Sequence, residues 1–181
     1  MRKGLAAMLC LLAWLVPPPS GARAGDEPFT ALFSTSCVRH FYALDKLAAA
    51  LAASAATALD GQDAAPFLGR ASGAAWAVRG PSGRYVVAIR ADRVCAVFAH
   101  RASAAAVENS FLALVAASPG PLVAEEIDGG AAPDGGTVRT VAWSWSRPGD
   151  PMALVLALTT SRGEAASIQA MASISLVRKS E

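Results

Sequence analysis

The stretch that decides the fold is residues 85–118, YVVAIRADRVCAVFAHRASAAAVENSFLALVAAS. Its first six residues are apolar on both faces until Arg90, which predicts a strand, and residues 91–93 have the length of a hairpin connection. Residues 94–99 are apolar throughout, as expected of a central strand covered on both faces. Ser103 then offers an N-cap for a helix.

That helix has one apolar stripe, made by Val107, Phe111, Leu114 and Val115. We expect Glu108 and Asn109 to lie elsewhere, on its surface. The Pro-Gly-Pro triplet at residues 119–121 ends the helix, because proline has no N–H and cannot continue it.

Towards the N-terminus, apolar residues repeat at spacings of three and four from Phe29 to Leu51, which predicts one buried helical face. Residues 34–36 offer a cap, so the regular helix is expected to begin at Cys37. Its alanine-rich continuation favours helix as far as Leu59. The polar residues 60–63 then stop it, and residues 66–69 form only a short helical turn.

The remaining segments predict strands. Alternation is clearest in residues 137–146, and residues 166–178 fit either a helix or a strand, of which we favour the strand. Residues 128–136 are a glycine-rich loop. The other predicted strands cover residues 74–78, 122–127 and 152–159. The prediction is therefore an α+β domain with an antiparallel sheet of six to seven strands in two meanders and two main helices packed on it. The two meanders hint at a pseudo-duplication, although no internal sequence repeat is convincing.

The first 24 residues have the pattern of a signal peptide. Arg2 and Lys3 precede an apolar run of 12 residues, and residues 22–24, Ala-Arg-Ala, match a cleavage site. The run is shorter than the 18 or so residues that a membrane span requires. Cys10 lies inside the run, too early for a lipoprotein signal. We expect a soluble product of residues 25–181, forming one domain, in the periplasm or secreted.

Cleavage would change the charge of the chain. The full sequence has 16 basic and 14 acidic residues, and three basic ones lie in residues 1–24, which leaves 13 against 14 and a net charge of −1. No basic run or patch stands out. Nucleic acid and anionic membrane surfaces are therefore poor candidates for a partner.

Two cysteines, Cys37 and Cys95, would remain in the mature chain. An oxidising compartment favours their pairing as one disulfide, and two buried free thiols are the alternative. A C-x-x-C redox motif is absent, which argues against catalysis by thiol exchange.

The sequence offers little recognisable chemistry. Only His40 and His100 are present, without metal-ligand spacing, so no metal or cofactor is predicted. We expect His40 to be a hydrogen-bonded structural residue and His100 to face solvent. Glu125 and Glu126 are adjacent on a strand and so point to opposite faces. No G-x-S-x-G motif or phosphate-binding loop occurs, and no catalytic residue is assigned.

Aromatic residues in the predicted strands are the one sequence feature that suggests a binding surface. Trp143 and Trp145 share one strand face, which we interpret either as core beneath a helix, the favoured alternative, or as an exposed binding stripe. If exposed, they would form with Trp76 and Tyr85 a groove for a peptide, a glycan or a partner protein.

Three motifs carry a resemblance: FLGRASGAAW at residues 67–76, VCAVFAHRA at residues 94–102 and LTTS at residues 158–161. With them, the chain resembles a family of uncharacterised exported proteins and putative lipoproteins of proteobacteria, Neisseria among them, over residues 37–177. The resemblance implies an envelope location and a paired Cys37 and Cys95, and it implies no activity. This chain lacks the lipobox of the lipoprotein members, which puts membrane anchoring in doubt.

These observations favour a non-enzymatic protein that acts by binding or in envelope assembly. A hydrolase or inhibitor-type protein acting on cell-wall or peptide substrates is the alternative. Its site would have to combine His40 or His100 with a carboxylate. The oligomeric state is left open.

Overall fold

The computed structural model describes residues 27–81, 83–127 and 137–179. The expected signal peptide and the loop at residues 128–136 lie outside them. Within the described residues, eight strands form one antiparallel sheet in the order β1-β2-β3-β4-β8-β7-β6-β5. The strands are β1 Thr57–Leu59, β2 Gly73–Gly80, β3 Gly83–Arg90, β4 Cys95–Ala99, β5 Val123–Ile127, β6 Val138–Ser146, β7 Met152–Ser161 and β8 Ala170–Arg178.

Four α-helices accompany the sheet in the described part of the chain: α1 Pro28–Phe33, α2 Leu44–Ala52, α3 Gly61–Leu68 and α4 Ala104–Ala116. A π-helical turn, Ser34–Val38, and a 3₁₀ turn, Phe41–Ala43, join α1 to α2. The predicted α+β class with one antiparallel sheet is confirmed. The predicted counts of strands and helices were too low.

The N-terminal helical region begins earlier than predicted and ends earlier. Both carboxylate oxygens of Glu27 accept backbone hydrogen bonds, from Phe29 and Thr30, at 3.1 and 2.7 Å, and Pro28 occupies the first turn. With this N-cap the helical region begins at Pro28, before the predicted start at Cys37. At the other end, residues 57–59 leave the helix and pair with β2 as an edge strand.

Helix α3 is longer than the short turn expected at residues 66–69. It begins at Gly61, so the polar segment that was predicted to stop one helix in fact starts another. Pro66 lies inside it. The ambiguous segment at the C-terminus is a strand, as predicted, paired with β4 on one side and β7 on the other.

The main core lies between one face of the sheet and helices α1 and α4. Its fully buried side chains include Phe29 and Phe33 of α1, Phe111 of α4 and Leu156 of β7. Cys37 and Cys95 form the predicted disulfide, with their Cα atoms 5.4 Å apart, and so join the π-helical turn to β4. Two buried free thiols, the alternative, are excluded.

The opposite face of the sheet carries a smaller core beneath α3. Ala64 and Leu68 of this helix pack with Val86 of β3 and with Ala96 and Phe98 of β4. Since α3 contacts mainly β2 and β3, the cover that it provides stops at the middle of the sheet. This boundary positions the candidate site.

Candidate functional site

A cavity of about 570 Å³ lies beside α3, where the cover on this face of the sheet stops. We call it the α3 cavity. Its lining comes from α3, from the ends of β4 and β7, from the starts of β6 and β8, and from the loop before β8: Pro66, Phe67, Phe98, His100, Val138, Thr159, Ser161, Ala166, Ser167, Ile168, Ala170 and Met171.

The floor of the cavity follows from the strand register. Phe98 pairs with Met171, and Met171 pairs with Thr159, so these three side chains form one row across β4, β8 and β7. Side-chain size decreases along this row from Phe98 to Thr159. Because Thr159 is short and α3 ends its cover above Phe98, a hollow is left over β7 and β8.

Phe67 forms the wall on the helix side. Its ring meets that of Phe98 edge to face, with centroids 5.1 Å apart at 67°, and lies 6.3 Å from the imidazole of His100. Edge-to-face packing is a favourable aromatic geometry. The helix therefore presents an ordered aromatic side chain to the cavity.

The opposite wall is the loop between β7 and β8, which side chains from the end of β4 hold in place. Nδ1 of His100 donates to the carbonyl oxygen of Ser167 at 3.0 Å, and Nη1 of Arg101 donates to that of Ala166 at 3.2 Å. Oε1 of Gln169 accepts from the backbone N–H of Ala102 at 2.9 Å. These bonds tie residues that are more than sixty positions apart.

The bond to Ser167 also fixes the tautomer of His100. A carbonyl oxygen can only accept, so Nδ1 carries the proton, and in the neutral ring Nε2 has the lone pair. We expected His100 to face solvent, but it is half-buried. It is the main polar group of an otherwise apolar cavity, together with hydroxyls of Thr159, Ser161 and Ser167.

A buried carboxylate lies near the same strand ends but on the other face of the sheet, which α4 covers. Oε2 of Glu108 accepts from Nη1 of Arg139 at 2.6 Å, and Oε1 accepts from the hydroxyl of Thr160 at 2.6 Å. Nη2 of Arg162 lies 3.7 Å from Oε2. We call these four residues the Glu108 cluster. Glu108 is buried within α4 and not on its surface, which corrects the expectation from sequence.

The cluster changes the acidity of Glu108. Burial by itself would raise the pKa of this carboxyl, but the hydrogen bonds from Thr160 and Arg139 and the charges of Arg139 and Arg162 outweigh burial. The net effect is a pKa below the ordinary 4.5. Glu108 is therefore a carboxylate at neutral pH.

The aromatic residues singled out from sequence lie in or against the core. Trp145, Trp76 and Tyr85 are 3, 6 and 3% exposed. Nε1 of Trp145 donates to the carbonyl oxygen of Val115 at 2.8 Å, and Trp143 is half-buried beside it. Because they are buried or half-buried, they do not form the exposed stripe that a binding groove of this kind would need.

The other residues considered from sequence do not converge. Nδ1 of His40 bonds the carbonyl oxygen of Ser36 at 3.1 Å within its own helical turn, as a structural histidine does. Glu125 and Glu126 are exposed on the edge strand β5, opposite Ser144 and Trp143 respectively. In the described part of the chain neither histidine forms an ion pair with a carboxylate.

Two absences hold for the described residues. No helix there is long and apolar enough to cross a membrane. No group of three or more His, Cys, Asp or Glu side chains in the same ranges is placed to hold a metal ion.

Sequence reasoning missed the α3 cavity. Its residues come from five separate segments, and none of them has a recognised ligand-binding or catalytic motif. The sequence does contain two bulky apolar residues of the cavity floor, Phe98 and Met171. That they are neighbours becomes visible only once the pairing of β4 with β8 is known.

Comparisons with protein-family models, with curated proteins and with solved structures gave no significant match to this chain.

Proposed function

We propose that the protein is exported to the periplasm, or secreted, and acts there by binding an apolar small molecule in the α3 cavity without transforming it. The observation that carries the proposal is the cavity itself, about 570 Å³ and walled by Phe67, Phe98, Ile168 and Met171. Small-molecule sites typically enclose roughly 300–1,000 Å³ and are lined mainly by apolar and aromatic side chains with a few polar groups.

The lining supports binding by burial of apolar surface. Removing apolar surface from water stabilises a complex by about 25 cal/mol per Å². The polar atoms of His100 and Thr159 would then orient the ligand. The cavity walls are also ordered before any ligand enters, since hydrogen bonds hold the β7–β8 loop and aromatic packing holds Phe67. A preformed site loses less entropy on binding.

The disulfide and the N-terminal pattern support the compartment. Structural disulfides persist in oxidising compartments and are rare in a reducing cytosol. Cys37 and Cys95 are bonded and fully buried. The Ala-Arg-Ala pattern at residues 22–24 supports cleavage to a chain that begins at Gly25.

The test is a titration of the purified protein with N-phenyl-1-naphthylamine, an uncharged apolar dye that fluoresces when it leaves water. We expect saturable binding to the wild type. Ala166→Trp, which fills the cavity from its lining, should weaken binding at least about tenfold. The control is Ala165→Trp, since Ala165 is exposed and does not line the cavity. Equal binding to both variants would show that the dye binds elsewhere and would refute the proposal.

A hydrolase is the second candidate, and one observation favours it. Nδ1 of His100 is held by a backbone carbonyl oxygen, which leaves Nε2 as the basic nitrogen in a cavity that also contains hydroxyl groups. An oriented imidazole of this kind is the usual general base for a hydroxyl nucleophile or for water.

Hydrolysis of p-nitrophenyl butyrate tests this candidate. His100→Asn keeps a donor for Ser167 but removes the base, so it should abolish hydrolysis. His40→Asn makes the same change at a histidine that also bonds a backbone carbonyl oxygen but lies outside the cavity, and it should have no effect. A wild-type rate equal to that of buffer would eliminate the hydrolase.

A further inference from the structure

We propose that the ligand of the α3 cavity is an uncharged apolar molecule with one hydroxyl group, an alcohol or a phenol, and that Nε2 of His100 accepts a hydrogen bond from this hydroxyl. The inference rests on the proposed binding function and adds the chemical class of the ligand and the residue that selects it. It follows from which polar atoms of the lining already have hydrogen-bond partners and which do not.

The imidazole of His100 is held by two residues of the cavity lining. Its Nδ1–H donates to the carbonyl oxygen of Ser167 at 3.0 Å. The ring of Phe67 lies at 80° to the imidazole, with the two centroids 6.3 Å apart. Since both contacts are formed within the protein, a ligand does not have to order this ring when it binds.

Nε2 of His100 is a hydrogen-bond acceptor without a partner among residues 27–81, 83–127 and 137–179. In the neutral ring with its proton on Nδ1, Nε2 has a lone pair and no hydrogen. The bond to Ser167 uses the other nitrogen. His100 is half-buried and lines a cavity whose walls are mainly apolar. A ligand that enters the cavity therefore gains most from a donor directed at Nε2.

Two of the three hydroxyl groups in the lining are already bonded within the protein. Oγ1 of Thr159 lies 3.0 Å from Oγ1 of Thr140, and the two share a hydrogen bond. Oγ of Ser161 accepts from the backbone N–H of Gly163 at 3.3 Å. The third hydroxyl is that of Ser167, which is an exposed residue in contact with water. The imidazole is therefore the polar group of the lining that depends most on a ligand.

A hydroxyl group on an apolar molecule fits this site. The hydroxyl donates to Nε2 and so keeps a hydrogen bond when it leaves water, while the rest of the molecule packs against Phe67, Phe98 and Met171. An ether of similar shape has no donor, and its oxygen would face the lone pair of Nε2. A carboxylate also lacks a donor, and burial of its charge is costly because no lysine or arginine is among the described residues that line the cavity.

The experiment compares three competitors of N-phenyl-1-naphthylamine: 4-pentylphenol, its methyl ether 4-pentylanisole, and 4-pentylbenzoate. It is performed at about pH 8, where an imidazole is neutral, and the affinity of the dye is measured separately for each variant. We expect the phenol to bind about three- to tenfold more tightly than the ether, the range of one neutral hydrogen bond. The benzoate should bind more weakly than the phenol.

Variants of His100 test the assignment of the acceptor. His100→Phe keeps an aromatic ring without the acceptor, so it should lower the affinity for the phenol to that for the ether and should not weaken binding of the ether. His100→Gln supplies an acceptor oxygen and a donor for Ser167, and it should restore part of the preference. The control is His40→Phe, at a histidine that bonds a backbone carbonyl oxygen outside the cavity, and it should keep the full preference.

The wild type alone can overturn the inference, even if His100→Phe does not fold. Equal affinities for the phenol and the ether would do so and leave the binding function intact, and tighter binding of the benzoate would overturn the uncharged class. A preference for the phenol that persists in His100→Phe, or that is lost in His40→Phe, would contradict the role of His100. If the dye itself ignores Ala166→Trp, the binding function fails first.

Discussion

Glu108 shows how two signals can conflict at a single residue. Its spacing to Phe111 and Val115 is three and then four, which places it in line with two fully buried side chains of α4. Its charge predicted a position on the solvent-exposed surface of the helix, and we gave the charge more weight than the spacing. The structure follows the spacing, because Arg139 and Thr160 supply the hydrogen bonds that a buried carboxylate requires.

We expect Glu108→Gln to destabilise the fold by about 1–2 kcal/mol, because an amide loses the charge-assisted bond to Arg139 and keeps only one acceptor oxygen. Urea denaturation at pH 7 measures the change. Glu125→Gln is the matched control, since Glu125 is exposed on β5, and it should change stability by less than about 0.5 kcal/mol. Similar losses in both variants would contradict the structural role of the cluster.

The difference in stability between the wild type and Glu108→Gln should depend on pH. The folded-state pKa of Glu108 is lowered, so its contribution is fully present above the ordinary value of 4.5 and is lost as pH falls through the lowered pKa. The stability gap between wild type and Glu108→Gln should therefore be constant from pH 7 to about pH 5 and shrink below that. A gap that stays constant down to pH 2 would show that charge is not its source.

At the scale of elements, alternation and turn residues predicted seven of the eight described strands. The missing strand, Thr57–Leu59, is short, lies at the sheet edge and continues an alanine-rich helix without a change in composition. Its identity depends on pairing with β2, a tertiary contact that local propensity does not contain. Helix α3 was underestimated because Pro66 and Gly61 are usually helix breakers, and packing of Ala64 and Leu68 on the sheet outweighs them.

The disulfide joins two elements, the π-helical turn and β4, across a sequence separation of 58 residues. Closing a loop of this length stabilises the fold by about 4 kcal/mol on the chain-entropy estimate, or roughly 10 °C in melting temperature for a domain of this size. Reductant should lower the melting temperature of the wild type by this amount.

The double variant Cys37→Ala/Cys95→Ala is the control for reductant. It should melt near the reduced wild type, and reductant should not affect it further. Alanine is preferred to serine because both sites are fully buried, where an unpaired hydroxyl would cost stability on its own account. Identical melting temperatures of the oxidised and reduced wild type would refute a stabilising bridge.

For the molecule as a whole, the topology repeats. Residues 28–99 and residues 104–178 each contain a helical segment followed by four antiparallel strands, and the two last strands, β4 and β8, pair at the centre. The sequence hinted at this arrangement through its two meanders. It did not contain the position of α3, which is inserted between the first two strands of the first half. The α3 cavity lies where the cover of α3 ends and takes its lining from both halves, so a local reading of either half could not have found it.

The compartment, too, is a property of the whole molecule, and one mass measurement tests it together with the disulfide. Protein recovered from the cell envelope should have the mass of a chain that begins at Gly25, because the Ala-Arg-Ala pattern ends at residue 24. An alkylating reagent should add nothing before reduction and two groups after it, one on Cys37 and one on Cys95.

Cys10 gives this experiment an internal control. It lies in the apolar run of the expected signal peptide, so a chain that keeps its N-terminus carries a third cysteine with no partner among the bonded pair. Such a chain should take one alkyl group without reduction and three after it. Retention of Met1 with this labelling pattern would contradict export by cleavage, and two groups added without reduction to a chain beginning at Gly25 would contradict the disulfide alone. The two expectations can therefore fail separately, because they depend on different cysteines.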